Sequence, residues 1–172
     1  MTHSLYSPLQ PSSPADVGTP QLRELPDRFL SLHVRWGMKI QEEVLQPLDR
    51  YMAFVRKKYS HLRDIFVSTE TEEVIPLLYT QYPDFVYHFL RHKRHVFLDL
   101  ALRNESLVRS TDFVAEFVFS MANLYVATEA SGFVGSLTSN WCVMIHHLER
   151  TRGDGGYDYL SVDKGSAFST CF

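Results

Sequence analysis

The chain has 172 residues, 45% of them hydrophobic and 22% charged, which suits one globular domain with a buried core and excludes an intrinsically disordered chain. A net charge of −3 argues against a general nucleic-acid binder, which carries a basic excess. The two cysteines and eight histidines show no metal-ligand spacing, and no apolar run reaches the ~18–20 residues of a membrane span.

Residues 1 to 27 are rich in Pro, Ser and Thr, as in Pro11-Ser12-Ser13-Pro14, and hold little that could be buried. They are expected to be disordered, with the ordered domain running over 28–172. The first 20 residues also lack the apolar stretch of a secretory signal. Phe29 to Arg35 is apolar and β-compatible and predicts the first strand. From Pro47 the period changes. Leu48, Met52, Val55 and Tyr59 recur at helical spacing, with Arg50, Arg56, Lys57 and Lys58 on other faces. Asp64 to Ser68 predicts a second strand. A helix then carries Val74, Ile75, Leu78 and Tyr79, with Thr69 or Thr71 as its expected cap.

Asp84 to Phe89 reads as a third strand. The basic cluster Arg91-His92-Lys93-Arg94-His95 reads as a solvated loop, with an anion-facing patch as the alternative. Val96 to Leu107 reads as a loop with some helix. Thr111-Asp112 opens a long helix to about Thr128, with Phe113, Phe117, Met121, Leu124 and Tyr125 expected mostly inward. A short strand at Phe133-Val134 leads through small polar residues into a helix over 139–150, capped by Ser139 or Asn140. Cys142 on that helix is expected to be a small core residue. His146 and His147 are adjacent and so face different sides. Gly153 to Gly156 predicts a turn, and Tyr157 to Ser161 a last short strand.

Strands alternating with helices predict an α/β domain, with a Rossmann-like, mainly parallel sheet flanked by helices. Ligands bind such sheets beyond the carboxyl ends of the strands. His33, Arg35, Ser68, Thr69, Ser136, Thr138 and Ser139 all fall at such ends. The turn before the last helix is neither a P-loop nor a dinucleotide fingerprint. It still presents free N–H groups and the positive end of a helix dipole, which suit an anion. Arg35 is a fixed-charge fork suited to phosphate oxygens and equally to a surface salt bridge. Lys39 and Glu43, four apart, fit an ordinary helical ion pair. In a site the same two supply a cation for a leaving phosphate and a general base.

Three segments in order resemble the C-terminal, nucleotide-sugar-binding half of the α-1,6-fucosyltransferase family. The first is His33-Val34-Arg35-Trp36-Gly37-Met38-Lys39 with Glu43 four residues on. The second is Phe66-Val67-Ser68-Thr69-Glu70. The third runs from Asn123 through Phe133 to Thr138-Ser139-Asn140 and Cys142. The likeness spans roughly residues 29 to 163.

It implies transfer of fucose from GDP-fucose to a glycan hydroxyl, with inversion and without a metal or other cofactor. Arg35 would bind the GDP β-phosphate, and His33 would lie against the nucleotide. Thr138, Ser139 and Asn140 would hold phosphate oxygens, and Asn123 would face the base edge. Lys39 would aid departure of GDP, and Glu43 would activate the acceptor. The resemblance also implies a Golgi location and a two-domain enzyme, so a missing N-terminal domain or a homo-oligomer is an expected partner. The chain departs from the family pattern at Trp36 and Met38, where the motif has Arg and Asp. It departs again at Asn123, where the family has an Asp, and at Val143, where it has an Arg. A non-catalytic nucleotide-binding or interaction domain derived from the family is the alternative.

Overall fold

The computed structural model of the chain describes residues 25–36, 45–90, 111–151 and 159–163, with the backbone alone at 111–113. Among the described residues five strands and four helices alternate: β1 Leu30–Val34, α1 Leu48–Lys58, β2 Asp64–Thr69, α2 Val74–Gln81, β3 Val86–His88, α3 Thr111–Thr128, β4 Gly132–Gly135, α4 Asn140–Thr151 and β5 Tyr159–Ser161. All five strands run parallel in the order β3-β2-β1-β4-β5. The fold is therefore α/β and Rossmann-like, as the alternation predicts. The order reverses between β1 and β4, which makes that junction the topological switch point.

Each element follows from its residues. Every residue of β1 is buried, as expected of a central parallel strand covered on both faces. The helix α1 buries Leu48, Tyr51, Met52 and Val55 along one stripe. Asp49 stands in its first turn, and Arg56, Lys57 and Lys58 in its last, matching the helix dipole. Pro76 sits in the first turn of α2, where its missing N–H has no intrahelical partner to lose. Tyr82 closes α2 in a non-helical conformation because Pro83 follows it. Neither threonine caps this helix. Thr69 Oγ1 instead accepts the Thr71 N–H at 3.1 Å, and the N-cap position falls to Glu73 with no side-chain bond.

Alternation along the strands sorts two cores. Leu30, Leu32, Val34, Ile65, Val67 and Val134 pack with α1 and α2. On the other face, Phe29 and Phe66 meet edge-on beneath Val126 of α3, and Phe133 stacks on Tyr159 beneath α4. Gly132 admits the Tyr59 ring, whose Cε1 lies 2.5 Å from where a Cβ would stand.

The helix α3 departs from expectation. Leu124 is buried, but Phe117 is 56% and Tyr125 67% exposed, and Met121 also faces out. Glu116, Asn123 and Ala127 turn inward instead. Among the described residues no helix is long and apolar enough to cross a membrane. The expectations for residues 1–24, the basic cluster, Val96 to Leu107, the Gly153 turn and Cys171 lie outside the described residues, as does the side chain of Phe113.

Candidate functional site

The carboxyl ends of β1, β2, β4 and β5 form one edge, set by register. His33 pairs with Ser68 and Val34 with Thr69, while Gly135 pairs with Ser161. Arg35, Glu70, the 136–139 turn and Asp163 follow directly beyond these strand ends. The N-terminus of α4 opens at the same edge.

Arg35 forms an ion pair with Glu70, both side chains partly exposed. The next residue, Trp36, donates its indole N–H to the Gln46 carbonyl at 2.8 Å. The Trp36 indole is thereby tied to the entry of α1.

The β4–α4 turn carries its own anion. Asp163 Oδ2 accepts from Ser136 Oγ at 2.5 Å, from the Thr138 N–H at 3.2 Å and from Thr138 Oγ1 at 3.4 Å. Ser161 Oγ stands 3.5 Å away from the same oxygen and accepts the Leu137 N–H at 3.3 Å. A carboxylate thus occupies the turn just ahead of the α4 N-terminus, where the helix dipole favours negative charge. Ser139 is buried at the N-cap position, and its carbonyl accepts the Val143 N–H at 3.1 Å. Asn140 is the exposed first residue of α4.

His33 is buried beneath the edge, with Nδ1 at 3.1 Å from Cys142 Sγ. Burial, helped by the Arg35 charge, pushes the imidazole down to about 3. Burial pushes the Cys142 thiol up to about 12, against hydrogen bonds from Ser136, Tyr159 and Ser139 that act the other way. Both groups are neutral at ordinary pH. A thiol held this way is no nucleophile, and the pair fastens α4 to β1. Gly135 makes this approach possible, because a Cβ there would stand 2.8 Å from Cys142 Sγ.

Asn123 hangs from α3 over the end of β2. Its Nδ2 donates to the Phe119 carbonyl at 3.0 Å, and its Oδ1 accepts from Ser68 Oγ at 3.2 Å. The amide is buried and holds the helix to the strand.

The fold therefore brings His33, Arg35, Thr138, Ser139 and Asn140 to one edge, with Asn123 beside it on the α3 side. Lys39 and Glu43 lie outside the described residues. Among the described residues no three His, Cys, Asp or Glu side chains are grouped to hold a metal ion. Sequence reasoning passed over Asp163 and the joining of His33 to Cys142. The signal for the first was a carboxylate two residues after a terminal strand, at the level of the turn. The second joins residues 109 apart in sequence and had no local signal. Compared with protein-family models and with curated proteins, the chain matches none.

Proposed function

We propose that this chain is the nucleotide-sugar-binding domain of a fucosyltransferase-type glycosyltransferase. It takes GDP-fucose at the β1–β4 edge and passes fucose to a glycan hydroxyl with inversion. The observation that carries the reading is the convergence of Arg35 and the 136–140 turn at the switch point of a parallel sheet. An arginine fork and a helix N-terminus on neighbouring strands are the two devices that hold a diphosphate without a metal. Lys39 would stabilise the departing GDP, and Glu43 would accept the proton of the attacking hydroxyl.

A second reading is a non-catalytic nucleotide-binding or interaction domain. It draws on Glu70 and Asp163, which already neutralise Arg35 and the turn, and on Trp36, which removes a second cation.

Calorimetric titration of the full chain with GDP and GDP-fucose tests both readings, with Arg35→Ala as control. Saturable binding that the variant loses supports the nucleotide site. Transfer to N-glycan acceptors that Glu43→Ala abolishes then separates enzyme from binder. Folded protein that binds neither ligand ends both nucleotide readings.

A further inference from the structure

We propose that the outer face of α3, flanked by α4, joins two copies of this chain through an antiparallel helix pair. Val114, Phe117, Val118, Met121 and Tyr125 are exposed along α3 at positions i, i+3, i+4, i+7 and i+11. That spacing forms one seam on one face. Met144 and Leu148 of α4 are exposed as well. A groove of about 290 Å³ lined by Met121, Leu124, Tyr125, Thr128, Leu148 and Thr151 joins the two helices. Leu148 and Thr151 stand two to three turns, or ~12–17 Å, along α4 from its N-terminus, so the groove is remote from the nucleotide edge. The inference stands independently of the function proposed above.

Three observations select a second copy as occupant. The first is area. At ~150–250 Å² for a large side chain, these seven expose roughly 700 Å², above the ~300–600 Å² of the largest patch on most monomers. That is close to the ~800 Å² per partner of a standard interface.

The second is charge. From Val114 to Thr128 the one charged residue is Glu116, and it is buried. The α3 part of the face, without exposed charge, offers nothing to a partner of opposite sign and no repulsion to its own copy. The third is symmetry. A two-fold axis needs a self-complementary surface. In an antiparallel pair Val114 of one copy meets Tyr125 of the other, and Val118 meets Met121. The second copy's Val114 then arrives over the groove, and the two helix dipoles oppose favourably.

Sedimentation velocity on the full chain across the micromolar range reads the result. The wild type is expected at twice the chain mass. Phe117→Glu and Val118→Glu are expected as folded monomers by circular dichroism, with dimer dissociation constants at least ~100-fold higher. If a Glu variant misfolds, disulfide trapping decides the matter. In a Cys171→Ser background, Val118→Cys mixed with Met121→Cys should cross-link under mild oxidation, whereas Lys57→Cys on α1 should not. A wild type that stays monomeric overturns the proposal. So does a dimer that survives both Glu variants, or one that cross-links through Lys57→Cys alone.

Discussion

The neutral His33–Cys142 pair makes folding stability fall on both sides of neutrality. An unfolded imidazole takes up its proton near 6.5, while His33 in the fold holds off until about 3. Between these values the unfolded chain binds a proton that the folded chain refuses. Stability is therefore full above pH 6.5 and is lost as pH falls. At about pH 5 the loss is about 2 kcal/mol by linkage, a large part of a typical domain's stability. The thiol works in the opposite sense. Its unfolded value is 9.0 and its folded value about 12, so stability is lost again as pH rises above 9.0. His146, lowered by its own burial, adds to the acid side. His33→Asn removes the titration while leaving a polar atom for the sulfur. Unfolding free energies from urea titrations at about pH 5 and about pH 7.5 should differ less in the variant than in the wild type, by about 2 kcal/mol. Parallel pH dependences of the two proteins would refute a buried, neutral His33.

Three other perturbations follow from the same edge. Asp163→Ala strands the Ser136 hydroxyl and the Thr138 N–H and is expected to cost about 2 kcal/mol. In a thermal melt, sulfate should restore the variant more than it raises the wild type. Gly135→Ala drives a methyl against Cys142 Sγ and the Phe133 ring, both fully buried, and should destabilise by about 1–3 kcal/mol. Cys142→Ala in the same chain should recover part of that loss, read from denaturant midpoints. Arg35→Ala should weaken GDP binding more than the double variant Arg35→Ala/Glu70→Ala does, because the single change leaves Glu70 facing the diphosphate. Equal losses in a calorimetric cycle would place the ligand away from this pair.

Much of the fold was legible because its elements are short and strongly patterned. Apolar residues alternating through Leu30–Val34 and running together at Ile65–Val67 mark buried strands, and the spacing of Leu48, Met52 and Val55 marks the face of α1. The helix α3 misled for a physical reason. It is apolar nearly all round, so periodicity cannot say which apolar stripe meets the sheet. The stripe that does contains Glu116 and Asn123, because Asn123 finds Ser68 at the strand end. The edge and the residues that stand at it were foreseeable from strand direction. Their pairings were not, since these depend on strand order. Asp163 reaches Ser136 because β5 lies beside β4, and Cys142 reaches His33 because β4 lies beside β1. Neither adjacency leaves a trace in local sequence.

Charge at the edge bears on what it can hold. Arg35 contributes one positive charge, while Glu70 and Asp163 contribute two negative ones, each engaged with a group suited to phosphate. A diphosphate arriving there exchanges with carboxylates that the chain itself keeps within reach, so its affinity is the difference between two sets of charge-assisted bonds. The displaced carboxylates stay nearby and repel it, over a distance comparable with the ~8–10 Å screening length of ordinary salt. Nucleotide binding on the proposed reading therefore leans on the cation supplied by Lys39, which brings the four side chains to balance. The helix N-terminus of α4 adds a partial positive charge of about one half, shared between Asp163 and any ligand. A binder needs no more than this balance. On the proposed reading an enzyme also needs Lys39 at the departing phosphate, so activity assays of Lys39→Ala and Glu43→Ala, rather than GDP binding at the sheet edge alone, are what separate transfer from mere binding.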